Sequence, residues 1–247
     1  MVKKPVSTPY DDAFFNSQEQ GSAQSAQVIV PIVVRLLNPK SVIDIGCGRG
    51  TWLFAFQENG VKTIKGLDGQ WVDTSRMLVD PACFTPTDLS RPFQITGSYD
   101  LAVCLEVGEH IPQRHSRQLV HALTAASPII LWSAALPGQG GVNHINEQWP
   151  SYWQSLFAER GYRRLDPIRR LVWQDERVAW WYRQNILVYA AEATIAKSDE
   201  LSKELELSRT RRIELIDISV LGQFMYIKGL ILALRRTLLR SIKRRFL

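Results

Sequence analysis

Cysteine is scarce in this chain. Cys47, Cys83 and Cys104 are the only three among 247 residues, and no two form a CxxC pair. An odd, dispersed set of this kind reads as reduced thiols in the core of a cytosolic protein, not as a disulfide framework. Long apolar runs are also missing. None reaches the ~18–20 residues needed to cross a bilayer, and no apolar stretch follows Lys3 and Lys4 as a signal peptide would require. Acidic residues are missing from one end: Gly222 to Leu247 holds seven Lys/Arg and no Asp/Glu. The formal net charge is +6, so that segment alone exceeds it and the remainder is close to neutral. This argues against a broad nucleic-acid-binding face on the main domain and against nucleic acid as a partner. With 45% apolar residues, the chain can bury one medium α/β core plus an appendage.

The stretch on which the rest turns is Ser41–Trp52, SVIDIGCGRGTW. A β-branched run, Val42-Ile43-Asp44-Ile45, enters a turn with glycines at 46, 48 and 50, and a helix-like segment from 51 to 59 follows, stopped by Gly60. Glycines at a strand-to-helix turn let a ligand approach the main chain. The pattern is GxGxG and lacks the third glycine of a dinucleotide fingerprint, since residue 51 is Thr. Asp44 adds a carboxylate that repels phosphate and favours a sulfonium or ammonium group.

Further strands are expected at 61–67, 84–89, 99–107, 128–136, 165–173 and 178–191, with helices at 24–37 (Pro31 inside it), 116–127 and 149–160. Alternating strands and helices predict a doubly wound, mainly parallel sheet, in which ligands bind beyond the carboxyl ends of the strands. The residues at those ends are unusual. Asp68-Gly69 closes the second strand, where the acid can accept from ribose hydroxyls, and Trp71 can lie against an adenine ring. Asp88-Leu89 ends the third strand, with Asp88 placed to accept from an exocyclic amine. Glu106, Glu109 and His110 follow the fourth strand at helical spacing, and His144 lies in a glycine-rich loop, 137–147, after the fifth. An alternative for each is structural: a turn acid at 68, a surface aromatic at 71, a turn entry at 88 and a helix cap at 109–110.

DIGCGRG, the acid after strand two and Asp88-Leu89 together resemble a class I S-adenosylmethionine-dependent methyltransferase. DLAVCLEVGEHIP is similar to the post-strand-four segment of small-molecule O-methyltransferases. SAALPGQGGVNHINEQWPSYW resembles a subgroup associated with bacterial surface-polysaccharide and glycosyltransferase gene clusters. The resemblance covers about residues 22–191. It implies a Rossmann-like, seven-stranded sheet with a reversed last hairpin and S-adenosylmethionine as cofactor. By it, Gly46 and Gly48 bind the methionine end, Asp68 holds the ribose, Asp88 the adenine, and Glu106 sits beside the sulfonium; Asp44, Cys47, Gly69, Trp71 and Leu89 are further cofactor-binding candidates from their places at the strand ends.

Methyl transfer to an alcohol needs in-line alignment and removal of a proton. His110 or His144 can be the general base, with Glu109 beside them. Alternatively Glu106, Glu109, His110 and His144 ligate a divalent metal; ExxEH resembles the metal-binding segment of the ubiquinone-pathway O-methyltransferases and of small-RNA 2′-O-methyltransferases. The aromatic stretch Trp149 to Tyr182 supplies core and acceptor-wall candidates, with Gln184-Asn185 as hydrogen-bonding candidates in the last strand.

Three segments are expected: an arm over 1–21, the methyltransferase domain over 22–191 and a helical extension over 192–247. Within the extension, 197–218 reads as a charged helix, and residues 227–247 form a basic amphipathic helix suited to an anionic membrane surface, to the domain itself or to a second subunit. The expected protein is a cytoplasmic enzyme, peripheral on the inner face of the membrane, acting on a small-molecule, saccharide or lipid-linked acceptor. Two alternatives are an RNA 2′-O-methyltransferase anchored by its basic tail, and a non-catalytic nucleoside-binding scaffold that recruits a glycosyltransferase.

Overall fold

A computed structural model describes residues 12–210 of the chain, with side chains placed from 21 to 208. The N-terminal residues 1–11, the remainder of the charged helix at 211–218 and the basic amphipathic segment at 227–247 lie outside the described residues.

Seven strands form one sheet in the order β3-β2-β1-β4-β5-β7-β6. They are β1 (Ser41–Ile45), β2 (Thr63–Asp68), β3 (Phe84–Pro86), β4 (Leu101–Leu105), β5 (Ile129–Ser133), β6 (Tyr162–Leu165) and β7 (Leu187–Ala191). The first five pair in parallel; β7 runs antiparallel to both β5 and β6. The mainly parallel, doubly wound sheet and its reversed final hairpin are therefore as expected. The centre of the sheet is legible in its residues. Every residue of β4 (LAVCL) and of β5 (IILWS) is buried, as strands covered on both faces require. Chain order reverses between β1 and β4, which places the switch-point crevice at their carboxyl ends.

The flanking helices are α1 (Asp12–Leu37), α2 (Thr51–Glu58), α3 (Ser116–Ala126), α4 (Pro150–Ala158), α5 (Arg169–Val172), α6 (Trp180–Asn185), α7 (Glu192–Ile195) and α8 (Asp199–Thr210). Four expectations change. Residues 12–21 continue α1 instead of forming a loose arm, and Pro31 sits inside that helix on its exposed side. The stripe Ser25, Ala26, Ile29, Val30 and Val33 is buried, and this packing outweighs the hydrogen bond that proline removes. The strand expected at 165–173 ends at Leu165 and gives way to α5. The strand expected at 178–191 begins with α6, so Gln184 and Asn185 lie at a helix end and not in a strand. β3 is likewise three residues long and stops at Pro86, short of Asp88. Among the described residues no helix is long and apolar enough to cross a membrane.

Candidate active site

The glycine turn is shaped by positive φ at three positions: Gly46 (81°), Gly48 (53°) and Gly50 (85°). A Cβ on Gly46 would come within 2.3 Å of Val107 Cγ2, so the turn after β1 packs directly on the segment after β4. A Cβ on Gly48 would meet nothing within 4 Å, which leaves that main chain open to the cavity. Both the Gly46 and Cys47 amides donate to Leu67 O, at 2.7 and 3.2 Å, which ties the turn to the end of β2.

Asp68 closes this side. Its Oδ2 accepts from Gly48 N at 2.8 Å and its Oδ1 from Gly69 N at 2.6 Å. Burial raises its carboxyl above the usual range, while those two amides pull it back. Asp44 is buried deeper. Burial, helped by the Asp68 charge, pushes it well up, and its Oδ2 has no hydrogen-bond partner. The Trp71 indole lies across Gly69, where a Cβ would come within 2.2 Å of the ring. Asp88 lines the same cavity, but its Oδ1 is engaged by Ser90 N (3.0 Å) and Ser90 Oγ (2.5 Å), and Arg91 Nε lies 3.2 Å from Oδ2. Leu89 beside it is buried.

Across the crevice, Glu106 leaves β4 with φ 55°, a left-handed conformation unusual for a residue with a side chain. Its amide reaches Ser133 Oγ at 3.1 Å, and its carboxylate accepts from Gln139 Nε2 and Asn185 Nδ2, each at 3.4 Å. The helical face expected for Glu106, Glu109 and His110 is instead a single 3-10 turn, Gly108–His110, which turns Glu109 inward. Glu109 is fully buried, and neither carboxylate oxygen finds a hydrogen-bond partner of good geometry. Burial first, then the neighbouring Glu106 charge, lifts its pKa well above the ordinary glutamate range. Its carbonyl accepts from the amides of Ile145 and Asn146 at 2.9 and 3.0 Å. These two bonds bring the 137–147 loop onto the site.

His110 and His144 therefore meet. Their rings pack edge to face with centroids 5.0 Å apart. His110 Nδ1 lies 3.2 Å from Asn143 O, and burial, reinforced by His144, lowers its pKa to about 4. Ligand atoms of Glu109, His110 and His144 all lie within 4.8 Å of one another. That is a spacing a divalent cation can bridge, and the buried, unpartnered Glu109 carboxylate fits such an ion. Glu106 sits next to this trio.

One cavity of about 820 Å³ contains both sides, including the turn, Asp68, Asp88, Glu109, His110 and His144. The aromatic stretch divides between wall and core. Trp180, Trp181 and Tyr182 of α6 line the cavity. Trp153 and Phe157 belong to the core, Trp153 against Trp132 and Phe157 stacked on Tyr189 at 3.9 Å. Sequence reasoning missed Gln139, which bridges Glu106 and Asn185, and Glu147, whose carboxylate meets His144 Nδ1 at 3.1 Å. The only local sign of either was its place in the glycine-rich loop.

A comparison with curated protein sequences found no match. Solved structures match with low identity. Streptomyces venezuelae DesVI aligns over 73% of this chain and 96% of its own, with 15% identity and a TM-score of 0.54. An O-methyltransferase family protein from Burkholderia thailandensis aligns over 74% and 60%, with 13% identity and a TM-score of 0.53. The Synechocystis magnesium protoporphyrin IX methyltransferase crystallised with SAM aligns over 77% and 87%, with 16% identity and a TM-score of 0.51. These likenesses show a shared fold. A family model described as a methyltransferase domain matches residues 18–170, more than half of the chain, so this protein belongs to the methyltransferase domain family.

Proposed function

We propose that this protein transfers a methyl group from S-adenosylmethionine to an oxygen of a small acceptor: a small molecule, a saccharide or a lipid-linked saccharide. The observation that carries this reading is the single cavity joining the glycine turn to the histidine pair. On the donor side, the main chain of Gly46, Cys47 and Gly48 takes the amino-acid end, near Asp44. Asp68 and Gly69 take the ribose, using the second lone pairs left on the Asp68 oxygens. Trp71, Asp88 and Leu89 take the adenine, and Glu106 stands beside the sulfonium. Buried carboxylates favour a cationic sulfur and disfavour phosphate.

On the acceptor side, the hydroxyl oxygen attacks the methyl carbon as the carbon–sulfur bond breaks, and the hydroxyl proton leaves to a base. His110 is neutral above about pH 4. Its Nδ1 faces the Asn143 carbonyl, so Nε2 carries the lone pair. His144 completes the pair. A second reading is favoured by one observation, the unpartnered Glu109 carboxylate beside two imidazoles. Glu109, His110 and His144 would then hold a divalent cation, which supplies orientation and acidification of the acceptor hydroxyl.

Among the described residues that line the cavity, Arg49 is the single Arg or Lys. An RNA backbone would call for more positive charge than that. Exposed Val142 and Ile145, with Trp180 and Trp181, supply apolar walls suited to sugar faces or to an apolar body. Residues 227–247 remain a proposal for docking to an anionic membrane. The polysaccharide-cluster branch of the family is likewise part of this reading.

The test is calorimetry with S-adenosylhomocysteine, followed by transfer of labelled methyl from S-adenosylmethionine to phenols, free saccharides, lipid-linked saccharides and an RNA oligonucleotide. Each transfer is run with and without a chelator. Cofactor binding with transfer to a hydroxyl acceptor is expected. Loss of transfer with chelator selects the metal reading, and transfer to RNA alone would overturn the acceptor class. Cofactor binding with no transfer that depends on His110 or His144 would favour the scaffold alternative.

A further inference from the structure

Glu147 is three residues beyond His144 and lines neither the donor turn nor the cavity itself. Its surroundings are specific. Oε2 accepts from Gly138 N and Oε1 from Gly140 N, both at 2.7 Å. Oε1 also faces His144 Nδ1 at 3.1 Å, and both side chains are mostly buried, with 13% of His144 and 18% of Glu147 exposed. Gly138 and Gly140 have φ of 88° and 72°, so both amides turn inward around the one carboxylate. The His144 ring lies flat over Gly141, where a Cβ would come within 2.3 Å of Nε2. Gln139, between the two clamped glycines, sends its amide to Glu106 Oε2.

We propose that Glu147 is a positioning residue: seated on the Gly138 and Gly140 amides, it holds His144 in the Nδ1–H tautomer and presents Nε2 to the reaction. A carboxylate accepts only, so the imidazole nitrogen facing it must carry the hydrogen. Nε2 then has the lone pair, whether that lone pair takes the acceptor's proton or a divalent cation. The same clamp fixes the loop that carries Gln139 to Glu106. One side chain thus sets the geometry on the acceptor side and steadies the group beside the donor sulfur. This role rests on the cavity being the methyl-transfer site, but its structural core, the tautomer, does not depend on which acceptor is used.

The experiment is long-range nitrogen–proton NMR on the full chain labelled at histidine, with S-adenosylhomocysteine added. The chain has four histidines, at 110, 115, 121 and 144, so single substitutions assign every ring. The wild type is expected to show His144 as a resolved Nδ1–H tautomer. Glu147→Ala should convert it to a mixture with Nε2–H, and Glu147→Gln, which can keep one acceptor oxygen on Gly140 N and His144 Nδ1 while losing the bond from Gly138 N, should retain more of the Nδ1–H tautomer than Glu147→Ala does. An Nε2–H tautomer in the wild type, or a His144 signal unchanged by Glu147→Ala, would overturn the proposal. Retained binding of S-adenosylhomocysteine shows that Glu147→Ala is folded; if that variant does not fold, the wild-type tautomer and the Glu147→Gln spectrum decide. Failure of the wild type to bind S-adenosylhomocysteine would count against the transfer reading while leaving the tautomer result to stand by itself.

Discussion

On the side of the cavity built by β1 and β2, the Asp68 carboxylate rests on two main-chain amides, at 2.8 and 2.6 Å. On the side built by β4, Glu109 is fully buried against Glu106 with no amide of good geometry to receive it. Asp68 is thus satisfied within the chain, although Asp44 behind it keeps one oxygen, Oδ2, without a partner. The β4 side has two acids with raised pKa values and two imidazoles gathered in a small volume. Such a cluster is costly unless a proton, a cation or a substrate group completes it. The difference teaches where ligand chemistry is expected. The β1–β2 side should bind by shape and hydrogen bonding, and the β4–β5 side should supply the proton or metal chemistry.

The contrast would break if the histidines governed cofactor affinity. His110→Ala and His144→Ala are expected to lower methyl transfer by ~10²–10⁴-fold while leaving S-adenosylhomocysteine affinity within ~3-fold by calorimetry, since Asn143 O and Glu147, which these imidazoles meet, belong to the 137–147 loop and not to the glycine turn. Asp68→Ala should do the reverse. It removes charge-assisted bonds worth about 1.5–3 kcal/mol, so affinity falls by ~10–100-fold, read in the same titration.

Smaller effects sharpen the picture through stability. Gly46→Ala puts a side chain at φ 81° and 2.3 Å from Val107 Cγ2, whereas Gly48→Ala, at φ 53°, meets open space. The expected losses by denaturant unfolding are about 2–3 kcal/mol for the first and about 1 kcal/mol for the second. Equal losses would show that the turn does not bear on the segment after β4. The smallest effect concerns pH. The folded-state pKa of Glu109 lies above its ordinary value of 4.5, so the unfolded chain releases that proton first. The stability this group contributes is present below 4.5 and is lost as pH rises towards the raised folded value. Glu109→Gln should therefore flatten the fall in stability of ion-free protein as pH rises above 4.5. At the basic end it should gain on the order of 1 kcal/mol by thermal unfolding. A variant less stable than wild type at every pH would mean that Glu109 is satisfied without a ligand.

The β1–β2 side was the more legible in the sequence because its determinants are local. A β-branched run, three glycines and one acid after the next strand are contiguous or nearly so, and β4 and β5 announce themselves as unbroken apolar runs. The β4–β5 side was legible only as a set of residue types. That Glu106 takes a left-handed backbone, that Glu109 turns inward in a 3-10 turn and that Asn185 reaches the site are not written in neighbouring residues, and the Glu147 contacts, though local, depend on the positive φ of Gly138 and Gly140. Asn185 lies 79 residues from Glu106. The last strands were misplaced for a related reason. Trp180-Trp181-Tyr182 has strand-like composition, yet Tyr182 packs its ring on Trp52 of α2 and meets Ser22 of α1 through its hydroxyl, and that tertiary packing selects a helix.

Gly108, immediately before Glu109, is wedged between two indoles: a Cβ there would lie 2.9 Å from Trp153 and 3.0 Å from Trp132, whose ring centroids are 4.8 Å apart. Two aromatic chromophores that close couple optically, and here they lie directly beneath the turn that carries Glu109 and His110. A ligand that shifts this turn is therefore expected to change the near-ultraviolet circular dichroism of the indole pair, a response that Trp153→Phe should reduce.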